Sequence, residues 1–184
     1  LLVGSNPIST EDAQGKHMIG PAGEFLEKSL ADIGIDMRRD CWMTNSLICR
    51  TQRDKRPTNL QIDYCRANLF NTIENIQPTV IVPMGNAAVA SLLTRMWKES
   101  PGGIERWAGW QIPGNDPNAW ICPTYNPEDF LGEKNPIYGL HFAQHLEAMK
   151  ELTAKPWEVV PDYEKRIETH FDHNSAATAI REII

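Results

Sequence analysis

Residues 1–23 read LLVGSNPISTEDAQGKHMIGPAG, and the remaining chain is arranged around them. Leu1, Leu2 and Val3 form a short apolar run of strand type that breaks at Gly4 into a polar Asn6-Pro7 turn. In an open α/β sheet, polar groups at the C-terminal end of a strand face the crevice where ligands bind. The loop that follows carries Glu11, Asp12, Lys16 and His17 within seven residues and closes on Gly20-Pro21-Ala22-Gly23. From these residues alone it is either an active-site loop or a solvated connection.

Composition bounds the remaining possibilities. A chain of 184 residues is long enough for one globular core. The net charge of −6 argues against a broadly basic coat but leaves room for a local patch that grips a few phosphates. No apolar run approaches a membrane span and no signal peptide is visible, so a cytoplasmic protein without a membrane partner is expected. The four cysteines form no dense framework and fit a reducing compartment. The chain begins on Leu1 rather than Met, almost inside the first strand, which leaves room for residues upstream.

Apolar spacing predicts a helix over residues 22–33, with Gly34 as its stop. Its free N-terminal amides face either an anionic group or an ordinary turn. Residues 40–49 (DCWMTNSLIC) predict a second strand, breaking near Thr44-Asn45, and residues 50–57 (RTQRDKRP) are the most basic stretch. A helix is predicted over 59–76, a buried strand over 79–84 and a helix over 85–93. That alternation implies a three-layer α/β/α sandwich around a central, mainly parallel sheet. Residues 97–118 read as a surface excursion with a short strand near 110–112, its tryptophans (Trp97, Trp107, Trp110) packing under a loop in preference to stacking on bases. Residues 119–131 (AWICPTYNPEDFL) are a second informative stretch, and 140–152 predict the last core helix. Residues 1–150 are read as one catalytic domain and 151–184 as an extension. His170 and His173 in that extension read as surface residues, with metal ligation the weaker alternative.

The opening stretch resembles the first motif of the uracil-DNA glycosylase superfamily, most closely the thermostable iron-sulfur family 4, whose pattern is roughly G-E-A-P-G-x-x-E-D-x-x-G-R-P-F-V-G-P-A-G. Gly4, Pro7, Glu11, Asp12, Gly15, Gly20, Pro21, Ala22 and Gly23 match. Ser5, Asn6, Ile8, His17 and Met18 depart. The family's T-N-V-V-K-C-R-P is matched at Thr44, Asn45, Cys49 and Arg50, which implies that Asn45 reads an extruded base. Its P-T-Y-H-P-S-Y-L-L-R is matched at Pro123, Thr124, Tyr125, Pro127 and Leu131, with Asn126 in place of the His and Gly132 in place of the Arg. In related glycosylases that His stabilises negative charge on the departing base, and the residues after the Pro wedge into the duplex.

The resemblance implies a monofunctional DNA glycosylase that flips a base out of DNA and leaves an abasic site. Asn6 orients water, as the Asn does in the G-I-N-P and G-M-N-P branches of the superfamily. Glu11 and Asp12 supply general-base or electrostatic carboxylates, and Asn126 is the fourth catalytic candidate. Asn45, Met18, His17, Ser5 and Ile8 are expected around the base. Arg50, Arg53, Lys55 and Arg56 are expected on the DNA backbone, with Phe130 and Leu131 as the wedge. Cys49 and Cys65, with fifteen residues between them, match the third and fourth ligands of the family's 4Fe–4S cluster, but the upstream C-x-x-C pair is absent. No cofactor is expected unless such cysteines precede this sequence. The expected partner is DNA, bound by a monomer.

Met18, Asn126, Ser5 and Gly132 all relax a pocket that is strict for uracil in the family. The expected target is therefore a modified pyrimidine, such as hydroxymethylated or glucosylated cytosine in viral DNA, with a role in antiviral defence. Uracil excision in repair is the alternative, followed by a catalytically inactive DNA-binding relative and by an iron-sulfur redox or structural protein.

Overall fold

The computed structural model describes residues 1–97, 100–132, 136–155 and 172–183. Five strands, β1 (Leu2–Gly4), β2 (Met43–Asn45), β3 (Val80–Pro83), β4 (Ile112–Asn115) and β5 (Asn118–Ile121), form one sheet in the order β2-β1-β3-β5-β4. β2, β1, β3 and β5 run parallel, and β4 returns antiparallel on β5 as an edge hairpin. The helices are α1 (Ser9–Gln14), α2 (Pro21–Asp32), α3 (Met37–Asp40), α4 (Asn59–Ile76), α5 (Gly85–Met96), α6 (Ile104–Trp107), α7 (Pro136–Thr153) and α8 (His173–Ile183).

Strand alternation separates two cores, one on each face of the sheet. Val3, Ile81 and Ile121 pack with Leu69, Phe70 and Ile73 of α4 and with Val89, Leu92 and Leu93 of α5. Leu2, Val80 and Val82 point the other way, against Leu26 and Leu30 of α2 and Phe142, Leu146 and Met149 of α7. The expected three-layer α/β/α sandwich is therefore the fold. From β1 the chain first goes to β2 on one side and then crosses to β3 on the other. The strand order thus reverses beside β1, and the crevice at such a switch point is the favoured ligand position in α/β sheets.

Two local expectations change. The second strand is only Met43–Asn45, because Asp36 accepts hydrogen bonds from the backbone amides of Arg38 and Arg39 and starts α3, which takes Asp40 into a helix. Beyond Asn45, Ser46 turns inward, its Oγ donating to the Gly4 carbonyl at 2.9 Å. The excursion after α5 holds the helical turn α6, and its strand falls at Ile112–Asn115 rather than at 110–112. The three tryptophans do pack together: Trp107 lies 5.2 Å from Trp97 and 5.9 Å from Trp110, and its indole donates to the Pro101 carbonyl. His170 lies outside the described residues. Among those residues, no helix is long and apolar enough to cross a membrane.

Candidate active site

The C-terminal ends of β1 and β2 and the segment after β5 converge on one narrow cleft with a volume of about 50 Å³. Ser5, Asn6, Ile8, Glu11, Met18, Asn45 and Asn126 all line it. Residues far apart in sequence meet here because β1 and β2 pair in register, Gly4 opposite Asn45, and because Met84 bridges to Thr124 just before Asn126.

Gly4 is the floor. A Cβ there would lie 2.4 Å from Asn45 Oδ1 and 2.7 Å from Met18 Cε, so both side chains cross space that only glycine leaves open. Asn45 is 4% exposed, and its Nδ2 faces His17 Nδ1 at 3.3 Å. Asn6 is fixed at both ends of its amide. Its Oδ1 accepts from Ser5 Oγ at 2.8 Å, and its Nδ2 donates to the Pro7 carbonyl at 3.2 Å and to Thr51 Oγ1 at 3.4 Å. Oδ1 keeps a second lone pair for a water.

The two loop carboxylates divide their roles. Glu11 is buried, and its oxygens accept from the backbone amides of Ile8 at 3.0 Å and Ile19 at 3.1 Å. It pins both ends of the loop around α1 and leaves a fixed negative charge at the cleft, a placement suited to electrostatic work rather than to proton transfer. Asp12 is exposed and is not among the cleft residues.

Asn126 caps the 3₁₀ turn Pro127–Phe130: its Oδ1 accepts from the Glu128 amide at 3.2 Å and its Nδ2 donates to Glu128 Oε2 at 3.4 Å. Gly85, with φ of +79°, leaves room for its Cβ. Behind this segment, His145 Nδ1 contacts Thr124 Oγ1 at 3.0 Å. Burial, reinforced by His141, lowers the His145 pKa, which favours a neutral ring for that contact.

The expected wedge splits. Phe130 is not an exposed tip, since its ring stacks on Phe25 at 5.1 Å and packs 4.9 Å from Phe142, anchoring the 3₁₀ turn to α2 and α7. Leu131, 44% exposed, projects from the surface. In the basic stretch, Arg50 is held by Asp54 through two hydrogen bonds of 2.6 and 2.9 Å. Lys55 and Arg56 are exposed, and the side chain of Arg53 lies outside the described residues. Arg56 lines a second cavity of about 280 Å³ that shares Ser5, Met84 and Asn126 with the cleft.

Sequence reasoning missed Thr51, Glu128 and Gly85. Thr51 is 5% exposed and joins Asn6 to the Lys55 carbonyl, to which its hydroxyl donates. The signal for it was a small hydroxyl residue inside a basic loop, which composition cannot separate from an ordinary turn former.

The residues present do not make a 4Fe–4S site. Cys49 is exposed and Cys65 partly buried, and two thiols are half of the set such a cluster takes. Among the described residues, no three His, Cys, Asp or Glu side chains gather as a metal site. Burial pushes the Cys122 thiol up to about 12, which opposes the thiolate a metal needs.

Comparison with known proteins points one way. A family profile described as the uracil DNA glycosylase superfamily matches residues 1–150. A type-4 uracil-DNA glycosylase of Saccharolobus solfataricus is 29% identical over 160 residues, covering 85% of this chain and 72% of that protein. A type-4 uracil-DNA glycosylase of Thermotoga maritima is 34% identical over 160 residues, 84% of this chain and 78% of that protein. A DNA polymerase of Bacillus phage SP01 is 33% identical over 154 residues, 83% of this chain but 15% of that protein.

Proposed function

The chain belongs to the uracil-DNA glycosylase superfamily, and from that premise we propose that it excises a modified pyrimidine from DNA as a monofunctional glycosylase. The observation that carries the reading is the convergence of Asn6, Asn45, Met18 and Asn126 on one cleft at the strand ends. Breaking the C1′–N bond sends its electron pair to the base and leaves positive charge on the sugar. Water bound to Asn6 Oδ1 delivers hydroxide to C1′, its proton leaves with the base, and an abasic site remains. Glu11 offsets the sugar's charge through its field, Asp12 adds a weaker contribution from outside the cleft, and Asn126 Nδ2 offers a donor to the departing base.

The walls of the cleft support a reading of the base. Among the described residues lining the cleft there is no aromatic ring, and Met18 lies across its floor. A thioether side chain adapts to ligand shape, and the adjoining cavity beside Ser5 gives a substituent somewhere to go. Both features support a 5-substituted cytosine, hydroxymethylated or glucosylated, of the kind an antiviral enzyme would remove from viral DNA. Uracil excision is the second reading, favoured by the type-4 relatives.

DNA containing uracil, hypoxanthine, hydroxymethylcytosine or its glucosylated form, scored for alkali-labile breaks, separates the two readings. Fastest cleavage at uracil would establish repair. No product from any of them, with DNA still bound, would leave an inactive relative. In the Met18→Phe, Asn126→His double variant, cleavage of the bulky base relative to uracil should fall by about tenfold, the discrimination expected when a pocket gains or loses a few heavy atoms. An unchanged ratio would remove these residues from base selection.

Phosphate contacts make binding salt-dependent. Reversing Lys55 and Arg56 to glutamate should flatten the slope of log affinity against log salt by about two contacts. A slope equal to that of the unaltered chain would take this loop out of the interface.

A further inference from the structure

We propose that His17 is a specificity-determining positioning residue: it fixes which way round the Asn45 amide faces the base, and so which class of pyrimidine edge, 4-amino or 4-oxo, the cleft accepts. The inference rests on the reading of the cleft as a base pocket. It concerns an exposed residue that does not itself line the cleft but touches Asn45, which does.

A carboxamide has nearly the same shape in its two flipped orientations, which exchange an acceptor for a donor. Sterics therefore cannot choose between them at Asn45, and the choice falls to hydrogen-bond partners. The contact from Asn45 Nδ2 to His17 Nδ1 is 3.3 Å. The opposite atom, Oδ1, reaches over Gly4 at the cleft floor. With His17 neutral and its proton on Nε2, Nδ1 accepts from Nδ2 and holds the amide in this orientation. A donor at the same place would reverse it.

The ring can act in this way because its backbone is clamped. Arg38 of α3 donates from Nη1 to the His17 carbonyl at 2.9 Å and from Nη2 to the Met18 carbonyl, and its guanidinium lies 3.6 Å from Glu27 of α2. Met18 takes a left-handed turn with φ of 53°. Its carbonyl occupies space that any side chain at residue 23 would fill, since a Cβ on Gly23 would lie 2.1 Å from that oxygen. Two helices thus brace the backbone from which the imidazole reaches Asn45.

The consequence lies in the pairing code. At a fixed pose a 4-amino pyrimidine presents a donor at position 4 and an acceptor at N3, and a 4-oxo pyrimidine presents the reverse. One amide orientation matches each, and the mismatched pair sets donor against donor and acceptor against acceptor, leaving polar groups unpaired in a closed site. Loss of His17 frees the amide to flip and lets both classes bind.

The experiment measures single-turnover cleavage of hydroxymethylcytosine and uracil in matched duplexes by the full chain and by three variants at this exposed position. His17→Ala should bring the ratio of the two rates at least about tenfold closer to one, as one unpaired buried group is released. His17→Glu, an acceptor without a donor, should keep the ratio of the unaltered protein, and His17→Lys, a donor without an acceptor, should invert it. The same ratio in all four proteins would overturn the role of His17 while leaving the glycosylase reading in place. Equal loss of both activities in every variant, with the ratio unmoved, would likewise reduce His17 to a structural residue. If the unaltered chain cleaves neither of these bases nor glucosylated hydroxymethylcytosine, the reading of the cleft falls, and this inference falls with it.

Discussion

Asn6→Ala should lower single-turnover cleavage by about a hundredfold, the low end of what a placed proton-handling group contributes. DNA affinity should stay within about twofold, because no phosphate contact is touched. The large effect is expected because Asn6 is held at both ends of its amide by Ser5, Pro7 and Thr51, so its remaining lone pair points in one fixed direction. Alanine removes the only feature of the side chain that a water could align on. Asp12→Asn, at an exposed position outside the cleft, should cost at least about tenfold less, as a screened surface charge does. Rapid-quench measurements with enzyme in excess isolate the chemical step. A near-silent Asn6→Ala beside an inactive Asp12→Asn would place water activation on α1 instead.

Gly4→Ala should be as damaging without unfolding the protein. The new methyl would sit 2.4 Å from Asn45 Oδ1 and 2.7 Å from Met18 Cε, closer than such atoms can approach. Both neighbours are the ends of side chains, so β1 can keep its pairing while the amide and the thioether swing away. Displacing a base-reading group by about an ångström is enough to cost roughly a hundredfold in rate. The thermal midpoint should move by only a few degrees, about 1 kcal/mol of strain for a domain of this size. Cleavage within about twofold of the unaltered chain would show that Asn45 and Met18 do not hold the base. A midpoint lowered by tens of degrees would show that β1 itself had given way.

The sheet and its helices were legible because their cause is local and repetitive. Residues 59–76 carry helical spacing with Pro78 following as a stop, and the helix has the bounds Asn59–Ile76. The two-faced burial of β1 and β3 follows from apolar runs at a sheet centre. What escaped was the assignment of side chains whose partners lie across the fold. Glu11 reads in the sequence as a carboxylate for either general-base or electrostatic work, and only the fold shows that its oxygens are taken by amides at residues 8 and 19. Phe130 beside Leu131 reads as one apolar tip, but only three-dimensional packing shows that Phe25 and Phe142 claim the ring. His17 carried a signal of density without direction, and its direction comes from the register that sets Asn45 opposite Gly4.

The bridge through Thr51 has a consequence for which molecules are spared. One hydroxyl receives the Asn6 amide and donates to the carbonyl of Lys55, so the proposed seat of the water is fastened to the loop expected to grip the strand. A polynucleotide gripped at residues 55 and 56 would therefore be held in register with that seat. A loose nucleoside of the same base brings no backbone for that grip. Binding energy from remote parts of a substrate is expressed at the reacting centre, so the soluble nucleoside pool would pass this cleft unhydrolysed even where the base itself fits.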